Sequence, residues 1–236
     1  MILAKAAQRR LSADEVRLLR LQRAPLRADA ASSPLLALLL HVPAPVERSH
    51  WWARLVLWAG FGVWGMGLIA LDHRTGEINT SFLHGPLLVF HEAGHVIFAM
   101  LGSWMMVLGG TLAQLIMPVV LMVALLRKNH DPFGAALGLW LLGVSVLDVA
   151  PYMYDALDPQ LMLLSGATGE EGGHDWIFLF KSLGWLRGAQ GIGTFTHRLG
   201  ALVVLLALAW AGWVLVLQWR RLRTQPPVPN STDDPR

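Results

Sequence analysis

Long apolar runs separated by short polar breaks set the layout of this chain. Runs able to cross about 30 Å of hydrocarbon lie at Trp51–Leu71, Leu83–Leu101, Trp104–Leu126, Pro132–Tyr154 and Leu199–Trp219. Asp72–Glu77 forms a polar loop after the first run and Arg127–Asp131 another after the third, while Gly102-Ser103 is a very tight link after the second. Leu157–His197 is mixed: a short apolar patch at Leu161–Leu164, a glycine-rich loop around Glu170-Glu171, then a second apolar stretch opened by His174-Asp175-Trp176. The pattern predicts an all-α membrane protein, a polytopic helical bundle of five to six transmembrane helices. The sixth would be a crossing or re-entrant piece near Trp176–Trp185.

The flanks differ from this middle, giving three regions: 1–50, 51–219 and 220–236. Residues 1–50 form a basic region carrying Lys5, Arg9, Arg10, Arg17, Arg20, Arg23 and Arg27. Leu11, Leu18, Leu19 and Leu21 give it a loose helical amphipathicity, so it is expected either to lie on anionic lipid or to be a solvated arm. No apolar segment closely follows the early charges, as a signal peptide would require. Pro34–Pro45 is apolar but too short to cross, and reads as an interfacial or re-entrant piece. Arg220, Arg221 and Arg223 close the last run, and the four prolines beyond Thr224 predict a disordered tail.

Composition narrows the class. Of 236 residues, 54% are hydrophobic and 15% charged, with a mean hydropathy of +0.47, as in a multi-span membrane protein. The absence of cysteine excludes thiolate metal sites, iron–sulfur clusters and disulfides. The net charge of +3 is small, and the basic residues lack the interleaved aromatics of a nucleic-acid surface. Lipid and a membrane-associated protein are the expected partners. Eight Lys and Arg precede the first run, which argues for a cytoplasmic N-terminus in a bacterial inner membrane. The second and fourth runs would then end in the cytoplasmic half. Five crossings would strand Arg220, Arg221 and Arg223 outside.

Candidate chemistry centres on His91-Glu92-Ala93-Gly94-His95. Residues four apart share a helix face, so His91 and His95 can bind one metal ion, with Glu92 beside them as a general base. A charged residue at a helix centre costs roughly 2.5–3.5 kcal/mol on insertion, so three ionisable groups within five positions need a partner, and a metal supplies one. Zinc held by two histidines takes a third protein ligand, commonly a carboxylate. Asp148, Asp155, His174 and Asp175 are the candidates. Asp175 also suits a helix cap, with His174 in the loop before it. His84 lies seven residues before His91, about 10 Å along a helix and too far to share the ion. Gln114 is a polar side chain in mid-run. Gly60, Gly62, Gly65 and Gly67 suit close packing of the first helix, and Gly109 and Gly110 close packing of the third.

These motifs resemble the site-2-protease family of intramembrane zinc metalloproteases. The likeness covers roughly Pro86–Ala156. It rests on His91–His95, on Gly109–Gln114 as a degraded Ala-Gly-Pro-x-x-Asn, and on Asp148–Asp155 as a shortened Asn-x-x-Pro-x-x-x-x-Asp-Gly. Thr111, Gln114, Asp148 and Ala156 replace that family's proline, two asparagines and glycine. The resemblance implies zinc on His91, His95 and Asp155, Glu92 as general base, and Gln114 as an amide orienting substrate. It implies peptide-bond hydrolysis in membrane-associated substrates. The alternative function is zinc binding, transport or assembly without proteolysis, for which His84, Asp148 and His174 could line a path.

Overall fold

The computed structural model describes residues 33–42 and 45–225, so the basic arm Met1–Arg27 and the proline-rich tail beyond Gln225 lie outside the described residues. The described residues form helices and connections, with no strand. In order the helices are α1 (Pro34–Leu39), α2 (Arg48–Ala70), α3 (His84–Phe98), α4 (Ser103–Arg127), α5 (Pro132–Asp155), α6 (Asp175–Leu183) and α7 (Ala189–Thr224). The chain divides into a small unit, residues 1–37, and a large one, residues 38–236, which holds every helix from α2 onward.

Four helices, α2, α4, α5 and α7, are long and apolar enough to cross a membrane. Their predicted boundaries hold to within three residues for α2, α4 and α5. The fourth, α7, begins ten residues before the predicted Leu199, because its polar first turns are helical and pack on α5. Two of the expected crossings fall on helices shorter than these. α3 has 15 residues, or about 22 Å at 1.5 Å per residue, short of a bilayer. α6 has 9 residues, about 14 Å by the same rise, too short by itself for the full crossing expected near Trp176–Trp185, though not for a re-entrant piece.

The ends of the bundle can be told apart. Trp51 at the start of α2 lies against Trp219 near the end of α7, with ring centroids 4.7 Å apart. The Val46 amide donates to Gln225 Oε1 at 3.1 Å, and Arg54 pairs with Asp131 in the α4–α5 connection at 3.2 Å. One end therefore gathers the start of α2, the α4–α5 turn and the end of α7. The four long helices run up, down, up, down, and α3 and α6 pack at the other end. An even number of long helices brings Arg220, Arg221 and Arg223 to the same end as Arg48, which removes the conflict that five crossings create.

α5 is the central helix: Trp140, Val144 and Leu147 are buried with Leu68 of α2, Leu87 of α3 and Val204 of α7. Its tightest partner is α7. A Cβ on Gly200 would lie 2.8 Å from the Leu147 backbone nitrogen, and one on Gly193 2.6 Å from that of Tyr154. Gly193, Gly200, Ala207 and Val214, each seven residues on from the last, are all buried. This spacing of small residues seats α7 against α5 backbone to backbone. In α2 the packing reading holds for Gly65 alone, which faces Trp140 and Val204; Gly60, Gly62 and Gly67 meet nothing.

Candidate metal centre

α3 and α4 form a hairpin whose turn needs glycine. Gly102 has φ +94° and ψ 166°, open to glycine and strained for other residues. Down the hairpin the backbones nearly touch: a Cβ on Gly94 would collide with the Gly109 carbonyl, and one on Gly109 would lie 2.5 Å from Phe98 Cβ. Gly94 is the second of the two residues between the motif's glutamate and its last histidine. Its bare backbone lets α4 lie directly under His91 and His95. A Cβ on Gly110 would stand 2.6 Å from His91 Nε2 and 2.7 Å from His95 Nε2. Gly110 thus holds open the space into which both nitrogens point.

Each histidine is fixed by its other nitrogen. His95 Nδ1 is 2.9 Å from the Met106 carbonyl oxygen. A carbonyl only accepts, so Nδ1 carries the proton. His91 Nδ1 is 3.1 Å from Gln114 Oε1, and the Gln114 amide nitrogen donates to Asp148 Oδ2 at 2.8 Å. The Asp148 carboxylate accepts from both Gln114 and His84, whose Nδ1 lies 2.9 Å from Oδ1. That carboxylate orients the amide, and the amide oxygen sets the His91 tautomer. Both Nε2 atoms are left with lone pairs facing one point.

Asp175 supplies the third atom. Its Oδ2 is 2.9 Å from His91 Nε2 and 3.3 Å from His95 Nε2. Tetrahedral zinc with bonds of ~2.0–2.1 Å sets its ligands roughly 3.3 Å apart. Three electron-rich atoms this close repel each other unless protons or a cation lie among them. His91, Glu92 and His95 also offer ligand atoms within 4.8 Å of one another. Asp175 rather than Glu92 fits the third position, since a single oxygen of Asp175 reaches both nitrogens. Glu92, beside His91 and exposed, lines the same cavity and remains free to handle protons.

The segment that positions Asp175 is built around His174. The His174 side chain is 0% exposed and caps α6, its Nδ1 accepting from the Ile177 amide at 3.3 Å. Its Nε2 then donates to Asp155 Oδ2 at 3.3 Å. Asp155 Oδ1 accepts from the amides of Gln160 at 2.7 Å and Leu161 at 3.0 Å. The structure therefore does not bring Asp155 to the histidine pair; its oxygens fasten His174 and the chain leaving α5. Asp148 is likewise a support, one residue removed from His91. The helix cap expected of Asp175 belongs to His174, and Asp175 takes the first helical position, where the N-terminal dipole favours a carboxylate. Gln114, expected to meet substrate, is engaged at both ends within the protein.

His84, His91, Glu92, His95, Gln114, Asp148, His174 and Asp175 border one cavity of about 640 Å³, walled in part by the loop residues Leu161–Ser165 and by Phe178; Asp155 does not line it. Tyr152, which no sequence motif singles out, borders it too. Its ring lies 4.2 Å from His174, and its hydroxyl accepts the Asp175 amide at 3.0 Å. The signal was present: Asp148, Tyr152 and Asp155 stand at i, i+4 and i+7 on one face of α5. No family model, curated protein or solved structure matches this chain.

Proposed function

We propose that this protein is a zinc-dependent intramembrane endopeptidase acting on membrane-associated substrates. The observation that carries this reading is the meeting of Asp175 Oδ2 with both His91 Nε2 and His95 Nε2, with Glu92 free beside them. Two imidazoles and a carboxylate are a catalytic-type zinc set that leaves one position open. The Gly110 hollow and the two fixed tautomers fit that ion. Zinc bound there would supply a Lewis acid and lower the pKa of water in the open position.

The chain's own groups do the rest. Glu92 takes a proton from the attacking water and returns it to the leaving amine. A substrate helix must unwind before its carbonyls are accessible, since its backbone groups are already paired. By the positive-inside rule the end carrying Arg48 and Arg220 faces the cytoplasm. The centre, among Met106, Gln114 and Tyr152, lies toward the opposite end, in the half facing away from the cytoplasm. This reverses the cytoplasmic placement expected when α3 counts as a crossing.

The test is zinc per chain in detergent-purified protein, alongside peptide hydrolysis. One zinc in the parent, little in His91→Ala or Asp175→Ala, and retention in Asp155→Ala and Glu92→Gln support this ligand set. Loss of turnover in Glu92→Gln with zinc retained supports the general base. A parent without zinc sinks the reading. The metal-handling alternative draws on His84 and Asp148, which border the same cavity. Asp148 is bonded to both His84 and Gln114, so it braces His91 through the amide rather than offering a second stop for an ion.

A further inference from the structure

We propose that Tyr152 is a catalytic residue, donating its phenolic hydrogen to the oxygen that gains charge as the substrate carbonyl is attacked. This rests on the peptidase reading above. The Tyr152 hydroxyl accepts the Asp175 amide hydrogen at 3.0 Å, so one lone pair is taken and the oxygen is held in place. A phenol is protonated at neutral pH, and among the described residues its hydrogen has no acceptor. The ring is packed 4.2 Å from the buried His174 ring and 6.2 Å from that of His91. Tyr152 borders the cavity shared by His91, Glu92 and Asp175. The hydroxyl is thus held by the backbone of Asp175, and its hydrogen remains available for a group bound in the cavity. Such a preorganised donor suits an oxyanion better than a neutral carbonyl.

The chemistry balances with water as the sole co-reactant. The water oxygen bonds to the carbonyl carbon as Glu92 accepts one of its protons, and negative charge passes to the carbonyl oxygen. Tyr152 donates a hydrogen bond to that oxygen and keeps its proton. As the carbon–oxygen double bond re-forms, the carbon–nitrogen bond breaks and Glu92 delivers its proton to the amine. The products are a carboxylate and an amine.

Tyr152→Phe keeps the ring and removes the donor. The experiment uses the zinc-loaded full chain in detergent and two probes. One is a Leu–Leu phosphinic pseudodipeptide, whose tetrahedral P–O⁻ mimics the oxyanion; the other is acetohydroxamate, a small metal chelator. The expected result is unchanged zinc content, unchanged hydroxamate affinity and a phosphinate affinity lower by roughly 10- to 100-fold. Tyr152→His, which keeps a ring donor, should recover part of the loss. Loss of zinc, or equal weakening of both probes, would show that Tyr152 only holds Asp175 and would overturn the proposal. So would a wild type that binds hydroxamate but not phosphinate, or a Phe variant that binds both as wild type does. A wild type without zinc is a separate result, which removes the peptidase reading itself.

Discussion

His91 gives its Nδ1 hydrogen to Gln114, 23 residues on, across 3.1 Å of a buried helix contact. The bond decides which nitrogen of His91 faces Asp175. Gln114→Leu keeps the volume and removes the acceptor, leaving His91 free to turn or change tautomer. Outer partners of this kind typically affect metal affinity 10- to 100-fold. Zinc affinity by competition with a chromophoric chelator should fall by about that factor, with a lower thermal midpoint because the buried Asp148 carboxylate loses its amide donor. Unaltered affinity would mean that Gln114 does not set the tautomer.

Gly109 and Gly110 are neighbours that should fail differently. In Gly110→Ala the new methyl meets the two histidine Nε2 atoms, whereas in Gly109→Ala it meets Phe98 Cβ and the Gly94 carbonyl. The first variant should stay folded and bind little zinc. The second should lose on the order of 1–3 kcal/mol of stability through overpacking. Elemental analysis and thermal unfolding of the pair check this, and a zinc-replete Gly110→Ala protein would contradict it.

Much of this was legible in the sequence, and the failures have physical causes. Apolar runs located α2, α4 and α5 because a crossing helix must hide its backbone from lipid. At Leu83–Leu101 the run is longer than its α-helix, since apolar composition does not say where Phe98–Leu101 leaves the α-helix. His91 and His95 were readable because four-residue spacing is local geometry. Asp175 was left among four candidates, because nothing local links it to a residue 84 positions away. Asp155 drew attention as a carboxylate ending a span, yet the amides of Gln160 and Leu161 and the ring of His174 claim it. The α7 seam was hidden because Gly193 stands among the polar residues before Leu199, outside the apolar run that holds Gly200.

Topology gives a third prediction. The chain contains no cysteine, so single cysteines report cleanly. With four crossings, Ser49→Cys and Thr224→Cys should react with a membrane-impermeant maleimide from one side, and Ser165→Cys from the other. Labelling of positions 49 and 224 from opposite sides would rule out the up-down-up-down arrangement.

His73, in the connection after α2, gives a pH dependence. Its ring stacks on His197 with centroids 4.6 Å apart, and its Nε2 is 3.1 Å from Thr194 Oγ1. Burial first, then the charge of His197 with Arg74 and Arg198, lowers its pKa below 6.5, against the opposing pull of Asp72. The unfolded chain then takes up this proton more readily than the folded one. Stability from this group is full above pH ~6.5 and is lost as pH falls toward the folded pKa. Thermal unfolding between pH 7.5 and 5.5 should show a midpoint that drops with acid, and a smaller drop in His73→Gln. An equal drop in both would assign the effect elsewhere.

The 84-residue separation between His91 and Asp175 also sets an order of events during synthesis. The α3–α4 hairpin joins near neighbours and can form early, with the histidine pair already side by side. Asp175, the third ligand of the proposed site, does not exist until the ribosome has made α5, the connection after it and the first residue of α6. A chain still emerging therefore holds only half-built chemistry, and the centre is completed after most of the bundle around it has been laid down.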